Sequence, residues 1–493
     1  MKATIKAIAV ALLLGPATAV GQASDRTKHD DGRHVVELEV TSQAWNESRP
    51  WMKLQPTTHG VSAVVIAGPR LLTSAQVVAD ATLIQAMKHG RATKYLATVE
   101  HLEPDLNLAV LRAEDPTFFD DLAPVGLAGP AALADELRSV RWRNRQLEVS
   151  SSRLIRAEVK EARFSRISHA FFTVRSDLVG GGWSEPVFAG DVLLGLSIAQ
   201  DQEQLAQVLP ASIIRTYLES LAAGDYRGAP GLFTSWQLNR DRALAAYLGQ
   251  LGPPRGILIR AAPWSSTADG VLQPRDLLLR LDDHDIDAEG YYEHPHYGRL
   301  LFTNIAVEGR RVGETLRAEV LRQGQPLTLE LELRPYSPSQ QLIPSARVGQ
   351  APDFAIFGGL VFRVLDGNYY SIWGSDWVSQ APVELSALWS LEQNAQTADR
   401  RRIILLTEVL PDPFNVGYHD LTTQVVQRVN GRAVDSMAEL SAAFEHPQDG
   451  YHVIDLVLGA EKQQVVLDAA QLPAASQRIL AAYQIPLAQR IGE

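Results

Sequence analysis

The chain has 493 residues, 46% of them hydrophobic, which suits about three packed domains of ordinary size better than one large core. Its net charge of −11 argues against a general nucleic-acid binder, because neutralising phosphate needs clustered Lys and Arg. There is no cysteine, so every unit must stand on its core without disulfides, and no thiol is present for a lipid anchor.

Lys2 and Lys6, the apolar run Ile8 to Leu14 and the small residues Ala17-Thr18-Ala19 form the pattern of a cleavable export leader over residues 1–19. The run is too short to span a membrane. A polar leader follows over 20–34, after which Val35 to Val40 and Val61 to Ile66 read as short strands. Asn46-Glu47-Ser48 matches a glycosylation triplet and is assigned no function. Next come Leu71-Leu72-Thr73-Ser74-Ala75-Gln76-Val77-Val78 and Asp105-Leu106-Asn107-Leu108-Ala109-Val110-Leu111, with His101 six residues before Asn107. Arg138, Arg141, Arg143 and Arg145 surround Trp142, and their spacing predicts the solvated face of a strand. His169 lies in an apolar segment, and Gly181-Gly182-Trp183-Ser184-Glu185-Pro186-Val187-Phe188 precedes a strand at Leu193 to Ile198. The apolar spacing of Pro210 to Leu218 predicts a helix.

Gly224 to Pro230 reads as a linker. Beyond it lie Arg255-Gly256-Ile257-Leu258-Ile259 and Leu272 to Asp282, the latter with Arg275 and Asp283 at turn positions that suit glycine. Asp282, Asp283, His284, Asp285, His294 and His296 are metal-ligand types, but their spacing reads as a polar loop. A Pro-rich stretch from Pro335 to Pro344 separates the last unit. There, Asn430-Gly431 between apolar runs predicts a hairpin, and Ile479 to Pro486 forms an apolar tail.

In this order the segments resemble the HtrA/Deg branch of trypsin-like serine proteases, whose corresponding motifs read LTxAHxV, DLAxL and GNSGGPxF. The divergent last unit and its tail resemble the plant-type Deg proteins. The resemblance implies a mainly β fold: a trypsin-like double β-barrel over 35–223, a PDZ-like α+β domain over 228–335, and a second over 345–487 with a helical tail. It also implies that Gly256, Ile257, Leu258 and Ile259 form a carboxylate-binding loop and strand, where backbone amides take a peptide's end while the peptide adds to the sheet edge.

Under the resemblance, Gln76, Asn107 and Trp183 stand at the three triad positions when the segments are aligned without a gap. Deleting one glycine instead places Ser184 at the third. A triad needs an imidazole to take the serine proton and return it to the leaving amine, with a carboxylate orienting that ring. A glutamine amide cannot exchange that proton near neutrality, and Asn107 is uncharged. The expectation is therefore an exported non-enzyme, a pseudoprotease that binds unfolded polypeptides or protein C-termini as chaperone, adaptor or regulator. One alternative is a serine endopeptidase rewired around Ser184 with His101 or His169 as base; another is a structural subunit of a Deg-type assembly. Further expectations are assembly as a trimer or multiple, an active Deg paralogue as partner, and a periplasmic or secreted location. No cofactor, metal, nucleic acid or membrane span is expected.

Overall fold

The computed structural model describes residues 30–129, 136–161, 167–335, 341–374, 376–457 and 462–492. The predicted export leader, 1–19, lies outside them. A one-turn helix α1 (Asp31–His34) leads into β1 (Val35–Ser42), followed by β2 (Thr57–Ile66), β3 (Arg70–Thr73), β4 (Ala81–Met87), β5 (Tyr95–Glu103) and β6 (Leu108–Ala113). These six strands close into a barrel in the order β1-β2-β3-β6-β5-β4. The period-two alternation of β1 decides its facing: Val36, Leu38 and Val40 join Val61, Ala63, Leu71, Ala109 and Leu111 in the barrel core.

The second sheet uses β7 (Gly126–Leu127), β8 (Glu136–Arg143), β9 (Gln146–Glu161), β10 (Ser168–Ser176), β11 (Glu185–Ala189), β12 (Val192–Gln200) and β13 (Leu205–Pro210). Its order is β11-β8-β9-β10-β13-β12-β7, and a further pairing of β11 with β12 closes it into a second barrel. The predicted helix is α2 (Ala211–Ala223), which buries Ile213, Ile214 and Tyr217 and ends at Gly224 in the left-handed conformation. Of the four arginines around Trp142, Arg143 and Arg145 are exposed as expected, whereas Arg141 is buried and paired with Glu148 and Arg138 pairs with buried Asp31.

The third sheet runs in the order Ser235–Leu238, Ile257–Ala261, Leu277–Leu281, Thr315–Arg322, Gln325–Glu332. Arg275 takes a positive φ of 79°, as its turn requires, but the second left-handed turn residue is Asp282 rather than Asp283. The Asp282 carboxylate holds that turn by accepting the Arg317 backbone N–H and pairing with Arg310.

The fourth sheet has the order Gln464–Asp468, Tyr451–Leu456, Gln424–Val429, Ile404–Val409, Leu360–Val364, Phe354–Phe357, Gln489–Arg490. Asn430 and Gly431 form its tight turn, both at positive φ. Helices Met437–Ala443 and Leu472–Ala482 cover this sheet. It also packs on the first barrel: the Trp51 ring lies 6.0 Å from that of Phe354, tilted at 60°, and the buried Arg363 guanidinium pairs with Glu47.

Candidate active-site cleft and peptide edges

Gln76 sits on the 3₁₀ turn Ala75–Val77 that follows β3. Its backbone N–H donates to Asn107 Oδ1 at 2.9 Å, and its side-chain amide donates to the carbonyls of Gly182 and Ile198 at 2.9 and 3.0 Å. Asn107 is fully buried, and among the described residues its Nδ2 has no hydrogen-bond partner. The structure thus brings together the 76, 107 and 182–184 segments, two of them joined to Gln76 by direct hydrogen bonds.

Trp183 and Ser184 separate cleanly. Trp183 is 48% exposed, whereas Ser184 is fully buried at a φ of 78°. Ser184 Oγ accepts the Ser74 N–H at 2.9 Å and the Thr73 hydroxyl at 3.0 Å, so its hydroxyl is a structural tie between the two barrels. Neither proposed substitute base reaches it. His101 bonds to the Tyr217 hydroxyl at 2.8 Å, and burial lowers its pKa. His169 is fully buried against Phe171, hydrogen-bonds to the Ala170 carbonyl, and is held at a pKa of about 4 by desolvation.

Backbone donors beside Trp183 are also engaged. The N–H groups of Gly182 and Trp183 both donate to Glu185 Oε2, at 2.7 and 3.0 Å, and the Gly181 N–H donates to Gln200 Oε1 at 2.6 Å. Gly182 must be glycine: its φ is +92°, and a Cβ there would lie 2.7 Å from Ala199 Cα. Burial raises the pKa of Glu185, against the lowering effect of these amides and of Arg141. The sequence reading missed His59, whose ring lies 6.4 Å from that of Trp183. Its Nε2 is buried and unpartnered among the described residues. The only sequence signal was a histidine at the start of β2.

The carboxylate-loop assignment is displaced by one strand. Ile257 to Ile259 lie on an inner strand, paired with Trp236 to Leu238 on one side and with Leu277 and Leu278 on the other, and the Gly256 N–H donates to the Ile286 carbonyl. An apolar run suits an inner strand as well as a groove, which is why the pattern misled. One edge of this sheet is Ser235–Leu238 and the other Gln325–Glu332, each paired on one side only among the described residues. A cavity of about 290 Å³ lies beside Ser235–Leu238, lined by Leu232, Phe233, Trp236 and Thr303 among others. His294 and Glu308 pair at 3.5 Å, and the His294 ring accepts the N–H groups of His296 and Tyr297.

A PDZ domain family model matches residues 343–490. "Protease Do-like 4, mitochondrial" of Arabidopsis thaliana is 26% identical over 447 residues, covering 89% of this chain and 81% of the relative. "Protease Do-like 2, chloroplastic" of the same plant is 24% identical, covering 92% and 74%. Among solved structures, an HtrA-type protease AlgW with decapeptide aligns with a TM-score of 0.46 at 18% identity, over 62% of this chain and 97% of that one. The two barrel-like sheets are those of the trypsin-like protease fold, and the last sheet lies within the match to a PDZ domain. The chain is a homologue of the Deg/HtrA proteases. This overturns the expectation of a non-enzyme: relatives matched over most of the chain are named proteases, and they point to a protease. The substitutions at 76, 107 and 183 were too narrow a basis for excluding that class.

Proposed function

We propose that the chain is a polypeptide-handling protein of the Deg/HtrA class, in which PDZ-like units capture extended or unfolded segments and the inter-barrel cleft acts on them. The observation that carries this is the one-sided edge Ser235–Leu238 beside its cavity, on the same scaffold as the protease-type barrels. Strand addition needs free backbone groups and a pocket for alternate side chains, and this edge supplies both.

The leader at 1–19 supports export, and the resemblance supports assembly through the barrels as a trimer or multiple, an active paralogue being a candidate partner. Among the described residues no helix is long and apolar enough to cross a membrane. Working units at 35–223, 228–335 and 345–487 follow from the same reading.

The test is incubation of the purified protein with unfolded casein, with binding followed by fluorescence anisotropy and cleavage followed on gels over many hours. Binding accompanied by cleavage supports the proposal. Absence of both overturns it, and binding alone would confine the function to capture.

A further inference from the structure

The fourth sheet ends at one edge in the two-residue strand Gln489–Arg490. Gln489 and Arg490 pair antiparallel with Ala355 and Phe354, the Ile356 N–H donates to the Ala488 carbonyl at 2.8 Å, and the Gly492 N–H donates to Asp353 Oδ1. On the other flank, Ser441 of helix Met437–Ala443 donates its hydroxyl to Gln489 Oε1 at 3.1 Å. Segment 488–492 therefore lies between a sheet edge and a helix, the arrangement in which strand-adding domains hold a peptide. Its side chains are seated as a ligand's would be. Ile491 packs on the core that contains Met437 and Leu440. The Arg490 guanidinium lies 4.1 Å from the Trp45 ring and 5.3 Å from that of Phe354, and it donates to the Pro50 and Pro352 carbonyls. Past Gly492 the groove opens into a cavity of about 500 Å³ whose lining includes Arg347, Arg401 and Arg402 and also Asp353, Asp366 and Asp435.

We propose that this groove is a second peptide-binding site, occupied by the chain's own segment 488–492, and that its outside ligand is an extended peptide with a basic residue followed by an apolar one. The basic residue would replace Arg490 against Trp45 and Phe354, and the apolar one would replace Ile491. The inference rests on the PDZ-like reading above. It adds that the site is self-filled, and that the filler also clasps the loop of the first barrel at Trp45 and Pro50. A tethered occupant competes at an effective concentration in about the millimolar range, so an outside peptide meets a groove that is mostly taken.

The experiment uses a fluorescein-labelled peptide with the sequence of residues 484–493, titrated against the full chain and against a chain ending at Pro486. Affinity is expected to rise at least about tenfold in the shortened chain. It should rise in the same direction in the full-length Arg490→Ala, Ile491→Ser double variant, which serves if the shortened chain fails to fold. Adding Ser441→Arg, which fills the groove from the helix side, should abolish the gain. Hydrogen exchange of residues 44–54 should quicken when the segment is removed. Equal affinity in the intact and opened chains, or a gain that survives Ser441→Arg, overturns the proposal. Casein binding measured in parallel reports on the Ser235–Leu238 edge, so failure of that site and failure of this one are separable.

Discussion

The backbone N–H of Gln76 donates to Asn107 Oδ1 at 2.9 Å, which fixes residue 76 by the residue at 107 before either side chain does any chemistry. The backbone frame for an acid–base pair is thus present, with two neutral amides in it. Restoring ionisable groups tests how much of the catalytic geometry remains. The triple variant Gln76→His, Asn107→Asp, Trp183→Ser is expected to cleave casein faster than the wild type by roughly 10⁴-fold, the scale on which triad members act. Initial rates on a fluorogenic casein check it, and an unchanged rate would mean that the loop at 181–185 is closed to substrate.

Ser184→Ala makes the opposite kind of prediction. It removes the acceptor for the buried Ser74 N–H, and stranding such a donor costs about 1–3 kcal/mol. The variant is expected to melt at a lower temperature, read by calorimetry, and to match the wild type in casein cleavage. A selective loss of cleavage would assign the nucleophile to Ser184 after all.

Arg363→Ala is expected to be among the most damaging single changes. Its guanidinium is 1% exposed, and its partner Glu47 already has a pKa raised by burial, against the opposing pull of Arg363. Removing one partner of a buried pair costs about 3–5 kcal/mol, because the other is left without compensation. Denaturant unfolding measures the loss, and Glu47→Gln in the same chain should recover part of it.

The acidic pair Glu103 and Asp105 gives stability a pH dependence. Burial first, and the neighbouring Glu103 charge second, push Asp105 up to about 8, and burial also raises Glu103. Because the folded state holds the Asp105 proton more tightly than the unfolded chain, its contribution is complete below about pH 4 and is lost as pH rises toward 8. The slope is roughly 1.4 kcal/mol per pH unit within that window. Asp105→Asn should therefore gain stability relative to the wild type as pH rises from 5 to 8, in melting curves recorded at each pH.

Much of the fold was legible because its signals are local. The period-two pattern of β1, the apolar face of α2 and the Asn430-Gly431 turn each follow from a few neighbouring residues. The 76, 107 and 183 positions were legible as motifs. What sequence did not show was set by pairing across the chain: that Ile257 to Ile259 form an inner strand, that Glu185 turns back onto the Gly182 and Trp183 amides, and that Arg138 and Arg141 are covered by acids. Register between strands and the direction of a buried side chain are tertiary facts, and a string of apolar or basic letters is compatible with more than one of them. Likewise, a missing histidine is a local fact, and it proved weaker evidence of class than similarity along most of the chain.

The contact of Glu47 and Trp51 with Arg363 and Phe354 joins positions some three hundred residues apart in sequence. It turns a linear string of units into a closed circuit, in which the first barrel completes its surface only after the last sheet has been made. A chain emerging from synthesis must then hold the apolar face around Trp51 open until the far end arrives, a long loop closure that slows the final step of folding. Removing the last sheet should expose an apolar surface on the first barrel, so a truncated protein of this kind is expected to aggregate rather than behave as an independent fragment.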